Sequence, residues 1–219
     1  MTDKGLFITL EGGEGAGKTT QIQKIIDHLN QQGIEAIKTR EPGGTQEAEK
    51  IRDLLVQRDG GDWSPEAETL LFFAARHMHC KNLIWPAIEK GAFVICDRFT
   101  DSTRAYQSYA GELDHKVIDS LENNILSGFK PDLTFILDID PEIGLKRSLK
   151  QNQQTTDKSN TEDRFERKGL AFHTKIRNGF LDIANKEPNR CYVIDATQDI
   201  ETITNTIITH LTNKLKEVA

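Results

Sequence analysis

Residues 10–21 read LEGGEGAGKTTQ, and they fit the pattern G-x-x-x-x-G-K-[ST] through Gly12, Gly17, Lys18 and Thr19. Such a stretch is a phosphate cradle. Its glycines let backbone N–H groups close on an anion, the lysine adds a point charge, and the hydroxyl of Thr19 is placed for a divalent cation. The candidate nucleotide-binding set is therefore Gly12, Gly13, Glu14, Gly15, Ala16, Gly17, Lys18, Thr19 and Thr20. The neighbours agree with this reading. Leu6–Leu10 (LFITL) is an apolar run suited to a buried strand, and Ile22, Ile25, Ile26 and Leu29 follow at helical spacing as far as Gly33. Strand, loop and helix come in the order that points a helix N-terminus at the phosphates.

The pattern repeats outward. Short apolar runs at Ile34–Thr39, Ala92–Cys96, Leu133–Ile139 and Cys191–Ile194 are further strands. Helical patterns separate them: Ala48–Val56, a long segment opened by Ser64-Pro65 and reaching Pro86, Asp114–Ser127, and Pro141 onward. A final helix carries Ile200, Ile203, Ile207, Leu211 and Leu215 on one face behind Asp199 as its cap. The alternation predicts an α/β fold: a parallel sheet with helices on both faces, ligands outside the carboxyl ends of the strands. The polar stretch Gln151–Thr161, with Lys146, Arg147 and Lys150 before it and Arg164 and Arg167 after, is either a surface linker or a lid.

A chain of 219 residues makes one domain, 1–219, with a sizeable core. Its 28 Lys+Arg against 34 Asp+Glu give a net charge of −6, which argues against nucleic-acid or anionic-membrane partners. Any anion must be held by a local pocket. The cysteines at 80, 96 and 191 have no metal or redox spacing, so reduced thiols are expected, with Cys96 in the core. MTDKG lacks the apolar region of a signal peptide and no apolar stretch nears the length of a membrane span, so a soluble, cytoplasmic protein is expected.

The chemistry gathers at three strand ends. The first ends in Glu11 and the phosphate loop, the second in TREPGGT with Arg40, and the third in CDRFTDST with Asp97 and Arg98. An acid at the end of an apolar strand, as Asp97 is, suits a Mg²⁺–nucleotide site. Arg40, Arg52 and Arg98 form a second positive cluster, and planar guanidinium groups suit a second phosphate. Two facing phosphate sites imply phosphoryl transfer between two phosphorylated molecules rather than hydrolysis. In LLFFAARHMH, Phe72 and Arg76 share a helix face. Taken alone they read as a core ring and a solvated cation, against a pair that stacks on a base and bonds its edge. Ser102, Thr103, Tyr106 and Gln107 offer polar groups at the mouth of the crevice.

LEGGEGAGKTTQ, TREPGGT, LLFFAAR, CDRFTDSTRAYQ and LDIDPEIGLKR, in this order, resemble the bacterial thymidylate kinase family from Phe7 to about Ile203. The resemblance implies the P-loop NTPase fold of nucleoside monophosphate kinases, with a five-stranded parallel sheet, a mobile lid at about 147–164 and a homodimer that packs helix on helix. It implies transfer of a phosphoryl group from Mg-ATP to dTMP, giving dTDP for dTTP biosynthesis. Lys18 would contact the β- and γ-phosphates, and Thr19 with Asp97 would place Mg²⁺. Glu14 would stand near the acceptor's 3′-hydroxyl and phosphate end. Arg98, with Arg40 and Arg52 nearby, would hold the acceptor phosphate, and Pro42 and Ser102 would be among the substrate-binding residues. Phe72 would stack on thymine, Arg76 would reach its O4, and Gln107 with Thr103 would meet its N3 side; Tyr106 would leave no room for a ribose 2′-OH. The phosphate loop has no arginine between Gly12 and Gly17, which matches the branch whose lid supplies the cation, here Arg147, Lys150 or Lys158, with Arg164 as a lid-closing contact. Phe99, Ser108 and His77-Met78 depart from the family pattern and bear on the shape of the base pocket, not on the reaction.

Rival readings lack their signatures. A deoxynucleoside kinase needs a carboxylate base for a neutral hydroxyl and no second phosphate cluster. A guanine switch needs N-K-x-D, whereas Asn185-Lys186 runs into Glu-Pro. The six histidines have no ligand spacing, and Asp138 with Asp140 reads as a strand end and a cap rather than a catalytic pair.

Overall fold

A computed structural model describes residues 4–57, 60–154 and 164–218. The first strand, β1 (Phe7–Gly12), feeds the phosphate loop and α1 (Lys18–Gln31); β2 (Ala36–Arg40) and α2 (Gln46–Val56) follow. The segment after Ser64 is α3 (Pro65–His79), a π-helical turn at Cys80–Ile84 and α4 (Trp85–Glu89), then β3 (Phe93–Asp97). A short α5 (Thr100–Thr103) runs into a second π-helical turn at Arg104–Ala110, followed by α6 (His115–Leu126) and β4 (Leu133–Asp138). The chain closes with α7 (Pro141–Gln154), α8 (Leu170–Lys186), β5 (Cys191–Asp195) and α9 (Ile200–Val218).

All five strands are parallel, in the order β2-β3-β1-β4-β5. Side chains on a strand alternate between faces, and this sheet buries both. Ile8, Leu10, Ile95 and Phe135 pack with Ile22, Ile25 and Leu29 of α1 and Ile203, Ile207 and Leu211 of α9. Phe7, Val94 and Cys96 pack on the other side with Phe73, Ile84 and Ile118, while Ile136 meets Ile176 and Phe180 of α8. Central strands covered on both faces are near-continuous apolar runs, which is why the sequence shows them so plainly.

The register puts Leu10 opposite Asp97, and Arg40 opposite Asp97 from the other side, so three strand ends open into one crevice. Helix ends serve it unequally. Thr45 and Ser64 cap α2 and α3 by accepting from the N–H groups of Ala48 and Ala67. The α1 N-cap is Gly17, in the left-handed region at φ 91°, and contributes no side chain. Its terminal N–H groups are left for an anion.

Candidate active site

The phosphate loop is shaped by close approach. A Cβ on Gly12, at φ 132°, would lie 2.5 Å from the Leu137 carbonyl, and one on Gly15, at φ 67°, would lie 2.1 Å from the carbonyl of Gly144 on α7. Only glycine fits both places. The Lys18 ammonium is buried and donates to the carbonyls of Gly12 (3.3 Å) and Gly13 (3.1 Å). Burial and the nearby Arg98 charge lower its pKa, against Asp97, Glu14 and Glu11.

Arg98 sits just past β3 with φ 70°, a conformation costly for a residue with a side chain and one that clusters at functional sites. Its guanidinium donates to Gly12 O (2.9 Å), Ser102 Oγ (3.1 Å) and Glu14 Oε1 (2.9 Å), and lies over the Tyr106 ring. Tyr106 donates its hydroxyl to the same Glu14 oxygen at 2.8 Å. Burial alone would push the Glu14 carboxyl up, but Arg98, Lys18 and the Tyr106 hydroxyl outweigh it and hold Glu14 down at about 2. Behind them, Glu11 accepts from the Phe99 N–H (2.8 Å) and the Ser102 hydroxyl (2.5 Å). Burial, then the Asp101 charge, raise Glu11 to about 8.

Asp97 and Thr19 line the same crevice, and Asp97 Oδ1 is a buried acceptor without a partner. A carboxylate and a hydroxyl beside a phosphate loop are the hard oxygen donors that fit Mg²⁺ held together with phosphates and water. Among the described residues no group of three His, Cys, Asp or Glu gathers into a closed metal site.

The crevice, 310 Å³ in volume, runs from Gly15 to Thr20 across to Arg40, Pro42, Arg52, Phe72, Arg76, Arg98, Ser102, Thr103, Tyr106 and Gln107. Arg40 is exposed and pairs with Glu49 (3.2 Å), and Arg52 donates to Pro42 O (2.8 Å). Arg76 is 2% exposed, so the solvated reading from the residues alone is corrected. Its Nε donates to Glu41 (2.7 Å), its Nη2 to Thr103 (2.9 Å), and its plane lies over Phe73 and Phe99. A cation so deep persists because a carboxylate and two rings enclose it. Phe72 is half-buried and faces the crevice, while its neighbour Phe73 takes the core position. Gln107 donates to Glu68 at 2.8 Å, and Arg164 pairs with Glu68 at 2.6 Å and bonds the Leu55 carbonyl. The buried atoms here without a hydrogen-bond partner include Arg76 Nη1, a donor, and Gln107 Oε1 and Glu68 Oε1, both acceptors.

Of the residues expected at the site, Gly12 and Gly13 line a small cavity behind the loop instead of the crevice. Arg147 stands beside Gly15, but its guanidinium turns away to the Ala196 carbonyl at 3.1 Å. Lys150 is exposed on α7, and Lys158 and the rest of 155–163, half of the expected lid, lie outside the described residues. Asp138 is engaged bidentately by Arg177, and Asp140 accepts from the Glu142 N–H, as strand end and cap. Sequence reasoning assigned no site role to Glu41, Glu68 or Gly144 and none beyond a strand end to Glu11, since each acts through a contact distant in sequence; the polar Glu41 and Glu68 beside apolar runs were the one available sign.

A family model described as thymidylate kinase matches residues 10–207. The thymidylate kinase of Caulobacter vibrioides is 48% identical over 204 residues, which is 93% of this chain and 94% of that one. That of Dinoroseobacter shibae is 46% identical over 213 residues, 97% and 99% of the two chains. The crystal structure of thymidylate kinase from Ehrlichia chaffeensis superposes with a TM-score of 0.74 at 35% identity, over 95% of this chain and 99% of that one.

Proposed function

The chain belongs to the thymidylate kinase family and transfers the γ-phosphoryl group of ATP to dTMP, for dTTP synthesis; from that premise we propose how its residues divide the work. The observation that carries the assignment is that one crevice gathers Lys18 and the α1 N-terminus with three arginines, Arg98 against the phosphate loop and Arg40 and Arg52 from β2 and α2. Lys18 and the loop N–H groups bind the ATP phosphates. Arg98, held by Gly12 O, Ser102 and Glu14, has its guanidinium between the loop and the acceptor, where it binds the dTMP phosphate with Arg40 and Arg52. Glu14, already ionised, fixes Arg98 and Tyr106 and stands toward the acceptor sugar. The acceptor is a phosphate monoester and an anion near neutral pH, so no general base is needed. Catalysis is positioning and charge neutralisation.

Phe72 stacks on thymine; Arg76 Nη1 donates to O4, and Gln107 Oε1 accepts from N3–H, with Thr103 beside them. The unpartnered state of those two buried atoms supports this, because groups left bare at such depth are costly unless a ligand completes them. Thr19 and Asp97 would hold Mg²⁺, which neutralises phosphate charge and orients the transferring group. The lid cation is Arg147 or Lys150, or Lys158, which lies outside the described residues. The enzyme is a cytoplasmic homodimer. The dimer face is supported by the exposed side chains Leu54, Leu70, Val117 and Ile125, on the adjoining helices α2, α3 and α6.

Coupled ATP consumption with dTMP, UMP and thymidine as acceptors tests the assignment. Turnover with dTMP far above the other two supports it; ATP loss independent of acceptor would return a hydrolytic nucleotide switch. Lys18→Met should lower kcat by ~10²-fold or more, and Phe72→Ala should raise KM for dTMP by ~10-fold with kcat much less affected. Equal losses in both parameters for both variants would break the division of labour.

A further inference from the structure

Gln107 is an amide, and an amide can present either its oxygen or its nitrogen to a ligand. A base-reading contact made by such a group is ambiguous unless something fixes it. From the contacts around Gln107 we infer that Glu68 is a specificity-determining positioning residue, which locks the amide so that only a base with a protonated N3 is accepted.

Glu68, Phe72 and Arg76 lie four residues apart along α3, so one helix face carries all three. Glu68 and Gln107 are 4% and 2% exposed, out of reach of water that could satisfy either orientation. A carboxylate paired with Arg164 accepts from the amide nitrogen, so it draws Nε2 of Gln107 to itself, at 2.8 Å, and leaves Oε1 buried and unpartnered. A flipped amide would set oxygen against oxygen. Arg164 forms an ion pair with the other carboxylate oxygen, Oε1, at 2.6 Å, and its hydrogen bond to Leu55 O at 3.1 Å fastens it to α2. The chain Arg164–Glu68–Gln107 thus sets an unpartnered acceptor, Gln107 Oε1, in the base pocket, which the unpartnered donor Arg76 Nη1 also lines.

That pattern is complementary to thymine, with its N3–H donor and O4 acceptor. It is doubly wrong for 5-methylcytosine, which has the same shape but an N3 acceptor and a 4-amino donor. A pocket built on buried hydrogen bonds rejects such an isostere far better than one built on shape. The inference rests on the dTMP assignment above and adds to it a residue that touches no ligand.

The test is the ratio of kcat/KM for dTMP to that for 5-methyl-dCMP, in wild type and in Glu68→Gln. The variant keeps the shape of Glu68 but offers both donor and acceptor, so the Gln107 amide can turn. The ratio should fall about 10-fold, a hydrogen bond's worth, through a lower KM for 5-methyl-dCMP, with kcat for dTMP held within about 2-fold. In a Gln107→Leu background the same substitution should leave the ratio unchanged. An unchanged ratio in Glu68→Gln, or equal losses with both substrates, overturns the inference while the dTMP assignment stands. Absence of dTMP turnover in wild type overturns the assignment instead. Should Glu68→Gln not fold, ¹⁵N-labelled wild type decides: the Gln107 side-chain N–H should be protected from solvent exchange both alone and with dTMP, and fast exchange in either state overturns the lock.

Discussion

Glu11 shows what one buried side chain does to the balance of the site. It lies at the end of β1 with no exposure, accepting from Phe99 N and Ser102 Oγ, and through Ser102 it helps to hold Arg98. Burial, with the Asp101 charge added, lifts its pKa from the ordinary 4.5 to about 8. Folding therefore takes up a proton at Glu11, and the stability this lends is complete below pH 4.5 and is lost as pH rises through 8. Thermal melts from pH 5 to 8.5 should show the wild type losing midpoint relative to Glu11→Gln, by roughly 5 °C or more across that range. Parallel curves for the two proteins would mean that the Glu11 charge is compensated in place. Lys18, Asp97 and the crevice arginines were legible in the sequence because a phosphate loop and strand-end charges declare themselves locally. Glu11 in this role was not, nor was Glu41: their functions exist only in contacts with Phe99, Ser102, Arg76 and His79, each more than 30 residues away.

Helix α7 shows the same limit at the level of elements. Its start after Asp140 and its run of apolar and basic residues are readable, yet its central demand is hidden in Gly144. Glycine in a helix interior ordinarily costs about 1 kcal/mol relative to alanine, so the sequence alone favours Gly144→Ala as stabilising. The packing reverses that sign. A Cβ at 144 would lie 2.3 Å from the Glu14 carbonyl, backbone that cannot swing aside, and Gly15 presses on Gly144 O from the loop side. Gly144→Ala should push the phosphate loop away from α7, lower kcat by ~10-fold or more through misplaced loop N–H groups, and lower the melting midpoint; a raised midpoint with unchanged kcat would show that the loop tolerates the shift. The strands were legible to within two residues, most plainly β1, β3 and β4, whose two faces are covered. The π-helical turn at Arg104–Ala110 was not, since one wider turn leaves no trace in apolar spacing, and α8 was masked by the polar stretch before it.

At the scale of the molecule, the helices that line the crevice also present exposed apolar side chains. Helices α2 and α3 carry Arg52, Phe72 and Arg76 toward the crevice and Leu54 and Leu70 outward, the latter 43% and 58% exposed. Helix α6 adds Val117 and Ile125 beside them, each 39% exposed. Exposed apolar side chains on adjoining helices are what the proposed homodimer would cover. If that face is where two copies meet, the dimer braces from behind the helices that grip the acceptor, and breaking it should loosen dTMP binding before it slows the chemical step. Leu70→Glu places a charge at the most exposed of these positions. Sedimentation velocity at micromolar concentration should show wild type as a dimer and the variant as a monomer. KM for dTMP should rise several-fold in the variant while kcat changes little, because Lys18 and the phosphate loop stand on β1 and α1, away from that face. A variant that sediments as a dimer would move the interface elsewhere; a monomeric variant with unchanged KM would separate assembly from the site.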